Sequence, residues 1–180
     1  MVPDDPDSGD ALDRIDGAAR RMSELIDSLL EFASVGRADF AYQPVDLNAS
    51  LRQATEDLAP EIRAANAEIV TEGDLPTVSG DRAMLRQVLQ NLVGNAVKYR
   101  SDAAPRIVVS AERDAAFETV HVRDNGIGFA PSDAPRAFEP FQRIYRGREL
   151  RGSGIGLSIC KRVIERHGGN ITVKTAPGEG

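Results

Sequence analysis

The hydrophobic positions of this chain change period repeatedly, and each change marks a different element. Leu12, Ile15, Ala19, Met22, Ile26, Leu29 and Ala33 follow alternating steps of three and four. That is the a/d seam of a packed helix, sustained for three heptads. Leu25, Leu30 and Phe32 add a second apolar row. A stripe that wide, with no partner helix in the sequence, implies packing against another chain or against residues outside it. The plainer alternative is a helix folding onto the main domain. Gly36 ends the pattern. Residues 37–44 then read as a linker, 45–47 as a short strand, and Asn48 or Ser50 as the cap of a helix running to about Ala65. Residues 67–72 alternate like a strand, and 75–80 form a brief extended piece.

The period is clearest over residues 81–100. Asp81 is placed as an N-cap, and Leu85, Val88, Leu89, Leu92, Ala96 and Val97 recur at helical spacing. Gln87, Asn91, Asn95 and Lys98 follow at steps of four, four and three, so they stack on a second face. A solvated stripe usually carries Glu and Lys rather than repeated carboxamides, which lower helix propensity. The stripe is therefore a candidate ligand face, with an ordinary polar surface as the alternative. Further on, residues 107–111 and 119–122 read as strands across a polar turn, 154–167 as a helix ending at His167-Gly168-Gly169, and 171–174 as a last strand. The final Gly178-Glu179-Gly180 reads as a turn, and a partner strand is expected beyond it. The order predicts an α+β fold, a two-layer sandwich with helices on one face of a mixed, largely antiparallel sheet.

Composition narrows the functional classes. The chain has 180 residues, 41% hydrophobic and 28% charged, enough for one full core and an accessory element. No apolar run approaches a membrane span and no signal peptide opens the chain. A net charge of −6 argues against nucleic acid as the main partner. Residues 1–11 are rich in Pro, Asp and Gly and read as a disordered segment. The single cysteine, Cys160, excludes an internal disulfide and fits a reducing, cytoplasmic compartment. Its neighbours Ile159, Val163 and Ile164 give it a buried apolar role.

Two glycine-rich stretches carry the chemistry. Asp124-Asn-Gly-Ile-Gly128 follows a strand; Asn-Gly is a hairpin signal, but Pro131 and Pro135 oppose a returning strand. Glycines spaced by one residue instead permit close approach of backbone to ligand. Asp124, at a strand end, is positioned to accept from an exocyclic amine such as that of adenine. Gly152-Ser-Gly-Ile-Gly-Leu157 opens the next helix and leaves its first-turn amides clear for phosphate. The spacing fits neither a Rossmann nor a Walker loop, and a flexible loop before a helix is the alternative. Between the two stretches, Phe138 and Phe141 are expected to anchor a lid whose arginines, among them Arg143, Arg146, Arg148 and Arg151, reach over a triphosphate, with a solvated basic loop as the alternative for Arg146 and Arg148.

Asn91-Leu-Val-Gly-Asn95-Ala-Val-Lys98-Tyr99, Asp124-Asn-Gly-Ile-Gly128, Phe138-Glu-Pro-Phe141 and Gly152-Ser-Gly-Ile-Gly156-Leu157 resemble, in order, the N, first glycine, F and second glycine boxes of sensor histidine kinases. The resemblance covers 45–180, the ATP-binding catalytic domain of the GHKL superfamily. Residues 20–32 are similar to the second helix of that family's dimerisation and histidine-phosphotransfer bundle, here 12–36. Asn91-Leu-Val-Gly-Asn95 with Phe141-Gln-Arg143 is also similar to the phytochrome- or PAS-linked subgroup. The resemblance implies ATP and Mg²⁺ as cofactors. Asn95 would hold the metal beside Asn91, Lys98 would neutralise phosphate, and Tyr99 would line the nucleotide. Asp124 would take the adenine amine, with Gly126, Ile127 and Gly128 making room. Phe141, Arg143, Arg151, Gly152, Ser153, Gly154, Ile155, Gly156 and Leu157 would close over the phosphates.

It further implies transfer of the γ-phosphoryl to a histidine on a preceding helix and then to a response-regulator aspartate, within a homodimer. Neither histidine of this chain suits the acceptor: His121 reads as an outward strand residue and His167 as a helix C-terminal one. Two other functions compete. A GHKL-type ATPase clamp would need a glutamate base where this chain has Asn91, and a carboxamide cannot take a proton. A nucleotide-binding pseudokinase or dimerisation scaffold would bind ATP without transferring phosphate.

Overall fold

The computed structural model describes residues 41–145 and 153–180, together with 15–19, 22, 23, 26, 29, 30, 32 and 33. Every described position between 15 and 33 is helical; this element is α1. The chain continues as β1 (Gln43–Asp46), α2 (Leu47–Asp57), α3 (Ala59–Ala65), β2 (Glu68–Glu72), β3 (Thr77–Gly80), α4 (Arg82–Lys98), β4 (Arg106–Arg113), β5 (Glu118–Arg123), a 3-10 turn (Pro131–Asp133), α5 (Ala134–Ala137) and α6 (Gly156–Arg166).

The first helix after β1 starts earlier than its sequence pattern suggests. Asp46 caps it, its carboxylate accepting from the amides of Asn48 and Ala49. Asn48 is thereby released, and its carboxamide brackets Leu75, donating to the Leu75 carbonyl (2.9 Å) and accepting from the Leu75 amide (3.2 Å). Ser50 caps nothing either; its hydroxyl donates to the Asp46 carbonyl. The helix expected to run unbroken to Ala65 divides at Leu58, because Pro60 cannot supply the amide that a continuous helix requires. Asn66 then closes α3 with a left-handed backbone (φ 51°), a conformation asparagine tolerates.

Strands form two ladders. β1 and β3 pair antiparallel with Val45 opposite Val78, and β2, β4 and β5 form a separate sheet. Within that sheet β2–β4 is parallel, Ile69 beside Ile107, and β4–β5 is antiparallel, Ser110 beside His121. The central strand is buried at Ile107, Val108 and Val109, as a strand covered on both faces must be. β5 alternates, its valines inward and His121 outward beside Glu112, so that histidine is a surface residue.

Residues 171–174 differ from expectation. They carry strand-forming side chains, yet no ladder bonds define a strand there. Two other bonds hold the stretch beyond them: the Phe129 amide donates to Thr175 Oγ1, and the Gly178 amide to the Ile127 carbonyl. Strand propensity without an edge in register does not make a strand.

The core lies between the helices and the sheets. One cluster joins Val45, Leu51, Leu89, Val93 and Ile107 across β1, α2, α4 and β4. A second joins Met84 and Val88 of α4 to Ile155, Ile159, Cys160 and Val163 around α6, with Phe32 of α1 packed against it. Cys160 is fully buried there. Arg162 lies over the Phe32 ring at 4.8 Å, so α1 touches the domain at its far end. Among its described seam positions Ile15 is 65% exposed, and Met22, Ile26 and Leu29 are exposed as well.

The ends of α4 and α6 are locked together. The Asp81 carboxylate caps α4 at Ala83 and Met84, while its amide donates to His167 Nε2 (3.0 Å). His167 Nδ1 lies 2.7 Å from the Val163 carbonyl, so both ring nitrogens are occupied. The ring edge sits where a side chain on Gly80 would stand, 2.6 Å from its built Cβ.

Candidate functional site

α4 positions the site. Its buried side chains turn one face into the core, which brings Asn91 and Asn95, both half-buried, out along the opposite edge one turn apart. Their carboxamides make no hydrogen bond to another described residue. Lys98 closes the stripe with its Nζ 4.7 Å above the Tyr99 ring.

The end of α4 also carries the first glycine turn. The Tyr99 carbonyl accepts from the Ile127 amide at 2.9 Å. Asp124 leaves β5 with Oδ1 accepting from the Gly126 amide at 2.8 Å, while Oδ2 accepts from no described residue. A Cβ on Gly126 would lie 2.5 Å from Asp124 Oδ1 and 2.7 Å from the Tyr99 carbonyl. Gly128 has φ +52°, and a Cβ there would overlap the Ala176 carbonyl. Both positions exclude side chains on space alone.

The second glycine stretch approaches from α6. A Cβ on Gly156 would lie 3.2 Å from Asn91 Oδ1, so the first residue of α6 abuts the carboxamide stripe. Among the described residues no side chain caps α6, so its first-turn amides are available to an anionic partner. Gly154 (φ +72°) lies under the segment after α5, its built Cβ 2.9 Å from the Gln142 carbonyl.

These pieces line one cavity of about 1770 Å³. Asn91, Asn95, Lys98, Tyr99, Asp124, Ile127, Gly128, Arg143, Ser153, Gly154, Gly156 and Leu157 all reach it. It exceeds what a nucleotide needs, because it continues along Val120 and Val122 of β5 and past Ile171 and Val173. Tyr145 also lines it and stacks on Tyr99, ring centroids 6.4 Å apart and 28° from parallel.

Three expected residues stand elsewhere. Gly126 is buried beneath its turn and acts through backbone shape. Ile155 is 1% exposed within the second core cluster, a packing residue rather than a lining one. Phe141, expected to anchor a lid, is 55% exposed with φ +63°, and Ala137 and Phe138 turn inward in its place. Arg146, Arg148, Arg151 and Gly152 lie outside the described residues. The sequence reading missed Tyr145 and Gln142; an aromatic two residues past Arg143 was the available signal for the first.

The family described as histidine kinase-, DNA gyrase B-, and HSP90-like ATPase matches residues 80–180, and the chain belongs to it. Among similar proteins, cyanobacterial phytochrome A of a Nostoc species is 41% identical over 159 residues, 88% of this chain and 21% of its own length. Alginate biosynthesis sensor protein KinB of Pseudomonas aeruginosa is 32% identical over 99% of this chain and 30% of its own length. The chain thus spans about a fifth of the phytochromes it matches. Among solved structures, full-length ShkA in complex with AMPPNP superposes with a TM-score of 0.74 at 28% identity, over 99% of this chain and 38% of that one. The catalytic domain of histidine kinase ThkA gives 0.59 at 27% identity, over 71% of this chain and 83% of that one. No helix among the described residues is long and apolar enough to cross a membrane.

Proposed function

We propose that residues 45–180 are the ATP-binding kinase core of a sensor histidine kinase, and that α1 belongs to its dimerisation and phosphotransfer bundle. The observation that carries this reading is the convergence on one cavity of two carboxamides that bond no described residue, a lysine, the Asp124 carboxylate and two close-approach glycines. The described residues hold no cluster of three or more His, Cys, Asp or Glu, so a metal here would rely on the ligand's own oxygens. That suits Mg²⁺, which takes one or two protein oxygens and completes its shell with phosphate and water. Asn95 would supply the protein oxygen with Asn91 beside it, and the ion would neutralise charge on the transferring phosphoryl group.

Asp124 Oδ2 would accept from the adenine amine, while Tyr99 lines the base. Lys98, Arg143 and the open amides at the start of α6 would hold the phosphates. The γ-phosphoryl would pass to a histidine on a separate phosphotransfer helix and then to a response-regulator aspartate. His121 faces solvent and His167 has both nitrogens engaged, which supports an acceptor outside this chain. The exposed seam of α1 supports a bundle shared with a second copy.

Calorimetry tests the site. ATP should bind in the presence of Mg²⁺, and Asn95→Ala should weaken that binding at least tenfold, about 1.4 kcal/mol, while leaving Mg²⁺-free binding nearly unchanged. Equal affinity in the two proteins would remove Asn95 from the metal. Labelled ATP should mark an added phosphotransfer domain in acid-labile form but not this chain. Binding without any transfer would select the scaffold reading instead.

A further inference from the structure

The turn that carries Asp124 has a rear side, and Asn125 occupies it. Asn125 is exposed, yet both ends of its carboxamide are committed to one short stretch of backbone. Its Oδ1 accepts from the Arg106 amide at 2.7 Å, and its Nδ2 donates to the Ala104 carbonyl at 3.0 Å. Its own carbonyl accepts from Ser101 Oγ at 3.2 Å. The braced stretch is itself anchored, because the Pro105 carbonyl accepts from the Glu68 amide at the start of β2. Ordering an exposed side chain costs rotamer freedom, and here the two bonds close a bracket between the turn and the first residue of the central strand.

The turn is held at the front by the Tyr99 carbonyl and internally by Asp124 Oδ1 on the Gly126 amide. On one side of Asp124 the ladder already pairs Arg123 with Val108 of β4. On the other side the Asn125 bracket is the tie, joining the next residue to the start of the same strand.

We propose that Asn125 is a positioning residue for purine recognition: it sets the direction in which Asp124 Oδ2 faces the cavity. This rests on the reading of Asp124 as the acceptor for an adenine amine. The side chain must donate and accept at once and at this length. Aspartate keeps the acceptor leg, loses the donor, and sets a charge against the Ala104 carbonyl. Alanine loses both legs.

The test compares ATP with ITP, whose base carries a carbonyl where adenine carries the amine. Affinities are measured by calorimetry with Mg²⁺ on the unmutated chain, Asn125→Ala and Asn125→Asp, beside their thermal melts. The unmutated chain should prefer ATP. In Asn125→Ala, ATP affinity should fall about tenfold while ITP affinity changes less than about twofold, so the preference collapses. Asn125→Asp should retain part of it. A variant that keeps the full ATP-over-ITP ratio overturns the proposal, even if both affinities or the melting temperature fall, because Asn125 would then serve the fold alone. Should Asn125→Ala not fold, the same ratio in Asn125→Asp decides. Lack of discrimination in the unmutated chain would instead overturn the Asp124 reading, and this inference with it.

Discussion

The two glycine turns that meet at the cavity are built on opposite plans. The first, residues 124–128, is tied down from every side: to Tyr99, to Gly178, and through Asn125 to residues 104–106. The second, at residues 153–156, has no side-chain cap, and its closest approaches are Gly154 to the Gln142 backbone and Gly156 to the Asn91 side chain. The same Gly-Ile-Gly triplet thus serves different ends. In the first turn glycine allows a fixed shape against backbone, whereas in the second it keeps amides accessible and lets a neighbouring segment pass.

Substitutions can break this contrast, beginning with the largest effect. Gly128→Ala should destabilise the fold by about 3 kcal/mol or more, because a rigid carbonyl occupies the Cβ position and φ is positive. A urea midpoint near that of the unmutated protein would show that the first turn is not clamped. Gly154→Ala should cost less, about 2 kcal/mol, from the left-handed conformation and a tight approach to backbone, the Gln142 carbonyl 2.9 Å from its built Cβ rather than overlapping it. An effect equal to that of Gly128→Ala would erase the distinction. Gly73, with φ +77° and nothing within 4 Å of a built Cβ, sets the baseline for conformation alone.

The smallest effect concerns pH. Asp114 closes the β4–β5 turn much as Asp124 closes its own, Oδ1 accepting from Ala116 and Phe117, but it is exposed and does not itself line the cavity. Those amide bonds, led by Ala116, hold its carboxyl below the ordinary value of 3.8, against a slight opposing desolvation. A depressed carboxylate stabilises fully above its unfolded pKa, and the contribution disappears as pH falls through the folded one. The Ala116 and Phe117 amide resonances should therefore titrate together with a midpoint under 3.8. A midpoint at or above 3.8 would mean the caps are not formed in solution.

Much of the site was legible because its spacing is local. Steps of four, four and three give one helix face wherever the helix is set, and Asn91, Asn95 and Lys98 do share the cavity. The turn at Asp124 was legible for the same reason, as were the exposed His121 and the terminal His167. What the sequence concealed depends on partners distant in the chain. Asp46 rather than Asn48 caps α2 because Asn48 is claimed by Leu75, 27 residues away. Val93 was left out of the apolar face, although it stands one turn from both Leu89 and Val97 and is fully buried with them in the first cluster. Residues 171–174 have the composition of a strand but no edge within hydrogen-bonding register. Phe141 was read as an anchor from its hydrophobicity, which says nothing about the backbone that turns it outward.

The stacked Tyr99–Tyr145 pair has a practical consequence. The chain contains three tyrosines and no tryptophan, so its near-ultraviolet emission is that of phenol rings alone. Two of the three emitters line the cavity, and the third, Tyr42, rests against His167 at 6.2 Å. The protein therefore carries a built-in optical gauge of what enters that hollow, readable without dye, label or substitution.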